Sequence, residues 1–128
     1  MNHEETIRKF FASMKTHDGE TIFKMFTPNA TVIHPIFGER PATEIFKRLF
    51  QEVTLSRLDF HNTLIDPKHP NRAAVYLTGE AIHTKQGAHL HIPHGIFIFD
   101  FAKSGLIEKI IVIFDTYKIR DFVSERAG

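Results

Sequence analysis

The chain has 128 residues, enough for one domain with a core that removes most of its apolar surface from water. Its formal charge is +1 with the histidines neutral, and no Lys/Arg run is long enough to follow a phosphate backbone, which argues against nucleic acid as a partner. The absence of cysteine excludes disulfides, thiolate nucleophiles and zinc sites built on sulfur, while nine histidines and thirteen phenylalanines, against two tyrosines and no tryptophan, point to a phenylalanine interior and histidine chemistry.

The segment Met1-Asn2-His3-Glu4-Glu5-Thr6 has neither the basic flank nor the apolar run of a signal peptide, and no apolar stretch approaches the roughly 20 residues that cross a bilayer. A cytoplasmic protein with no membrane partner is expected. Ile7, Phe10, Phe11 and Met14 form the stripe of a helix over about 4–16, and Asp18 can cap a short second helix that carries Ile22, Phe23 and Phe26 and stops before Pro28. Ala30 to His34 then reads as a strand that Gly38 ends. Pro41 suits the first turn of a third helix with the stripe Ile45, Phe46, Leu49, Phe50 and Val53.

From Leu58 the period becomes that of strands: Leu58 to Ile65, Ala73 to Thr84, Ala88 to Phe101 and Leu106 to Tyr117, separated by Asp66–Asn71, a hairpin turn at Lys85-Gln86-Gly87 and a turn at Lys103-Ser104-Gly105. Helices followed by antiparallel strands give an α+β order. Ile96-Phe97-Ile98-Phe99 and Ile110 to Phe114 are apolar at both parities, so both sheet faces should be covered. The helices can cover one, and the other is expected against a second subunit in a homodimer.

The most informative segment is Phe26-Thr27-Pro28-Asn29-Ala30-Thr31-Val32-Ile33-His34-Pro35-Ile36-Phe37-Gly38, because Pro35 forces His34 into extended backbone at a strand end, where a side chain can be aimed into a cavity. A phenylalanine-lined pocket would favour its neutral imidazole, able to act as a general base; the alternative is a histidine satisfied by a backbone carbonyl at the turn. If His83 pairs with His89 across the hairpin, Ala81 faces His91 and Gly79 faces Pro93, and His83, His89 and His91 cluster on one face with Gly95, Phe97 and Phe99. A bulge at Pro93 would reverse that facing. His3, His17 and His69 fall in the tail or in loops and read as solvated, and His61 as facing solvent or a dimer partner.

Phe26-x3-Ala30-Thr31-Val32-x-His34-Pro35, Asn71-x-Ala73-Ala74 and Pro93-x3-Phe97-x-Phe99 resemble the NTF2-like superfamily, which includes the ketosteroid isomerases and SnoaL-type cyclases, over roughly residues 4–120. The resemblance implies a cone in which three N-terminal helices pack on a curved antiparallel sheet around a pocket, in a single domain over 1–128 that dimerises through the outer sheet face. It sets His34 where the isomerases have a catalytic aspartate, Phe10 where they have an oxyanion-binding tyrosine and Gly95 where they have a second, protonated aspartate. Both donors are missing, since neither Phe10 nor Gly95 offers a side-chain hydrogen bond, which argues against steroid isomerisation. Phe10, Met14 and Phe26, then Phe37, Phe46 and Leu49, are expected to line the pocket from the first half. Leu77, His83, Gly95, Phe97, Val112 and Phe114 would line it from the sheet.

Two function classes follow. One is a cofactor-free isomerase, cyclase or dehydratase for a small apolar carbonyl compound, with His34 as acid/base and His91 or His83 as its partner. The other is a non-catalytic module that binds a ligand or acts as a dimeric platform. His89-x-His91 is a weak metal pair without a following glutamate, so no metal or other cofactor is expected.

Overall fold

A computed structural model describes residues 2–84 and 87–117 and resolves the chain order α1 (His3–Lys15), α2 (Gly19–Phe23), β1 (Phe26–His34), β2 (Gly38–Pro41), α3 (Ala42–Glu52), β3 (Val53–Asp66), β4 (His69–His83), β5 (His89–Phe101) and β6 (Ile107–Phe114). Lys85 and Gln86 of the expected hairpin turn, and the stretch from 118 that the resemblance touches, lie outside the described residues.

Each helix starts and stops for local reasons. The Asn2 side chain accepts the Glu5 N–H at 2.8 Å and caps α1, whose Ile7, Phe10, Phe11 and Met14 are buried as the stripe requires. At its other end the Asp18 N–H donates to Ser13 O at 2.8 Å and the His17 N–H to Met14 O at 3.3 Å, a turn closed by His17 with a left-handed φ of 59°. Asp18 then caps α2 through the Thr21 N–H. Pro41 stands as the N-cap of α3 rather than inside its first turn, and Ala42, Ile45 and Phe46 bury the inner face.

The six strands form one curved sheet in the order β2-β1-β6-β5-β4-β3. This is the expected α+β class, with three differences in detail. Gly38–Pro41 forms an additional strand, pairing with β1 from Thr31 opposite Pro41 to His34 opposite Gly38, so β1 and β2 interrupt the helical set. Pairing of β1 with β6 is parallel, Ile33 opposite Ile111, whereas the other pairs are antiparallel. β3 begins at Val53, immediately after α3.

A fourth difference repositions side chains. Leu77 pairs with Gly95 but Gly79 pairs with Ile92, so a bulge at Pro93 shifts the β4–β5 register. Ala81 therefore faces Leu90 and Ile82 faces His89, one residue away from the expected pairing. Leu90 is buried and His89 and His91 are exposed, the reverse of the parity expectation.

Phe10 is the hub of the core. It makes edge contacts with Phe11, Phe46 and Phe99 at centroid distances of 5.2, 5.5 and 5.3 Å. No helix among the described residues is long and apolar enough to cross a membrane.

Candidate functional site

A cavity of about 110 Å³ lies between the helices and the inner sheet face. It is on the order of the ~150 Å³ apolar cavity that encloses one benzene ring. α1 contributes Phe11 and Met14, α3 contributes Phe46 and Leu49, and the sheet contributes Leu77, Phe97, Val112 and Phe114. Among the described lining residues only His17 and His34 carry titratable side chains.

His34 is 6 % exposed at the end of β1. The turn that follows fixes its ring. Pro35 opens a three-residue connection that Gly38 closes with a φ of 74°, and within it the Ile36 N–H donates to His34 Nδ1 at 3.1 Å. The ring stacks on Phe37 at 4.7 Å and meets the edge of Phe114 at 5.7 Å, while the Arg48 guanidinium sits 4.6 Å from the Phe37 centroid. Burial in these rings lowers its pKa from 6.5 to about 4. His34 is therefore neutral at pH 7. Because Nδ1 accepts, Nε2 carries the proton, and neutral His34 is a hydrogen-bond donor at Nε2 with its basic nitrogen already occupied. The turn satisfies it through a backbone N–H, not the carbonyl weighed from sequence.

His17 reaches the same cavity from the end of α1. Its residue is exposed, as expected of a loop position, yet its ring lines the cavity. Nε2 donates to the Val53 carbonyl at 3.1 Å, and the ring lies 5.1 Å from that of Phe50.

The remaining expected site residues divide cleanly. Met14, Phe46, Leu49, Leu77, Phe97, Val112 and Phe114 line the cavity, whereas Phe10 and Phe26 are buried in the core beside it. Phe37 stands against the His34 ring without lining the cavity. Gly95 is buried, and a β-carbon there would approach Leu77 Cδ1 to 2.9 Å, so this position is filled by a neighbour's side chain. His91 is turned outward by the Pro93 bulge, with Nδ1 3.4 Å from Glu80 Oε1, and cannot partner His34. His83 is fully buried at the end of β4 and does not line the cavity. Outside the cavity His94 Nδ1 lies 2.7 Å from the Tyr76 hydroxyl, and His61 Nε2 lies 3.1 Å from Thr78 Oγ1 on an exposed stretch of β3. Among the described residues no three His, Asp or Glu side chains gather as metal ligands.

Sequence reasoning missed Leu90 and Ile92, although the alternation His89-Leu90-His91-Ile92 carries an apolar face of its own. It also missed His17, for which helix periodicity gives no signal.

The sequence profile of the SnoaL-like domain family matches residues 7–110. No curated protein sequence matches the chain. Its fold is similar to that of SalBIII, an epoxide hydrolase/cyclase-like enzyme with a role in pyran ring formation in the polyether salinomycin, at a TM-score of 0.73 and 22 % identity over 88 % of this chain and 90 % of that one. TerC, co-crystallised with polyporic acid, is similar at a TM-score of 0.73 and 16 % identity over 93 % and 95 % of the two chains. An LEH-like epoxide hydrolase of M. tuberculosis is similar at a TM-score of 0.72 and 13 % identity over 91 % and 85 %.

Proposed function

The chain belongs to the SnoaL-like domain family, and from that premise we propose that it is a cofactor-free isomerase, cyclase or dehydratase acting on a small, single-ring, largely apolar compound with a carbonyl or epoxide oxygen. The observation that carries this reading is the buried, neutral His34, whose Nδ1 is engaged by the Ile36 N–H and whose Nε2–H is left for a ligand. A fixed donor in an apolar, water-poor site stabilises charge that develops on a substrate oxygen, and it does so without reorganising during the reaction. The role assigned to His34 is thus donor rather than base. Epoxide hydrolase and cyclase-like enzymes among the similar folds support the substrate class.

A panel of cyclic enones and epoxides, followed by NMR for conversion, tests the proposal. Wild type should convert at least one compound, and His34→Leu should slow that conversion roughly 10²- to 10³-fold while binding stays within a few fold, as expected for removal of one oxyanion donor. Tight binding without conversion of any compound would replace the enzyme by a ligand-binding module, a reading that the almost wholly apolar lining also suits.

The proposal includes a homodimer through the outer sheet face. Ile96 and Ile113 pair across β5 and β6 and are 39 % and 47 % exposed there, next to the pair Ile98 and Ile111.

A further inference from the structure

His17 combines two features that rarely coincide in a residue of structural use alone. It follows the C-cap of α1 in the left-handed conformation, at a position glycine fills without steric penalty and a β-carbon makes less favourable. The ring on that β-carbon is nevertheless one of the two polar groups lining the cavity among the described residues, and it is held in one orientation by the Val53 carbonyl and by Phe50. A carbonyl only accepts, so Nε2 carries the proton of the neutral ring and the lone pair resides on Nδ1. The two rings thus carry opposite remaining groups: an N–H at His34 Nε2 and a lone pair at His17 Nδ1.

We propose that His17 contacts the ligand, its Nδ1 accepting a hydrogen bond from a ligand hydroxyl while His34 Nε2–H donates to a second ligand oxygen. The substrate class narrows to single-ring compounds that carry a hydroxyl as well as a carbonyl or epoxide. This rests on the donor role given to His34 above and extends it. An apolar ring alone would leave the Nε2–H of buried His34 without a partner, whereas a ring bearing both groups would pair it and the Nδ1 of His17 together.

Phenol and toluene, which occupy nearly the same volume and differ by one O–H, are the probes, with affinities measured by NMR titration. The preference for phenol over toluene should fall about tenfold from wild type to His17→Gly, the loss of one hydrogen bond. The thermal midpoint should stay within about 3 °C of wild type or rise, because glycine suits the backbone there. An unchanged preference in the folded variant overturns the proposal. Should the glycine variant fail to fold, His17→Asn makes the same comparison, since asparagine tolerates the left-handed backbone and its shorter side chain withdraws the acceptor. Cyclohexanone against cyclohexane separates the two histidines, because the ketone has no donor. His34→Leu should lower that ratio and His17→Gly leave it alone. A ratio untouched by His34→Leu would sink the His34 reading while the phenol result for His17 stood.

Discussion

The pKa of His34 makes a direct statement about stability. A histidine near 6.5 when unfolded and about 4 when folded binds its proton more readily in the unfolded chain. Its contribution is fully present above pH 6.5 and is lost as pH falls from there toward 4, by about 3 kcal/mol at the end of that window. Urea unfolding at pH 7 and pH 4.5 should show this loss in wild type, and His34→Gln should show a much smaller one; equal slopes in both proteins would mean that the ring is not protected as described. His34 was legible as a site residue because Pro35 announces a strand end. Which nitrogen it presents was not, since that depends on the Ile36 N–H returning through a turn whose geometry no pattern of side-chain hydropathy encodes. His17 was hidden for a similar reason: its place is set by how α1 ends, and glycine, the usual signal for such an end, is absent.

At the scale of a strand, β5 shows how one proline can reverse a face. Alternation holds from Gly95 through Phe97 and Phe99 on the inner side, then changes phase at Pro93 so that Ile92 and Leu90 point inward and His91 outward. Truncation tests this phase directly. Leu90→Ala, at a residue 4 % exposed, should cost about 2–4 kcal/mol, whereas His91→Ala should stay within about 0.5 kcal/mol of wild type in chemical denaturation. The reverse ranking would restore the unbulged register. The helices and the hairpin strands were readable from periodicity because each carries a long stripe. β2 was not, because Gly38–Pro41 is wholly exposed and four residues long. The bulge was foreseeable only as an alternative, because proline permits a break in the ladder without requiring one. Gly95 gives a smaller test of the same strand: Gly95→Asp, which would restore the isomerases' acidic residue, must displace the Leu77 side chain, and should lower the thermal midpoint without creating a second donor in the cavity.

For the molecule as a whole, the proposed homodimer rests on the outer face of β5 and β6. Ile113→Lys places a charge in the middle of the exposed Ile96–Ile113 pair, and sedimentation should show wild type as a dimer at micromolar concentration and the variant as a monomer. A monomeric wild type would end the dimer proposal. The parallel pairing of β1 with β6 has a different reach. β1 belongs to the first third of the chain, yet its neighbours in the sheet are the short β2 and the late strand Ile107–Phe114. During synthesis on a ribosome, Val32 and Ile33 therefore wait with one edge of their strand unpaired until almost the whole described chain has emerged from the exit tunnel. The pocket is then the last part to be assembled, and a pause in translation within β5 would leave an apolar strand edge open to other nascent chains.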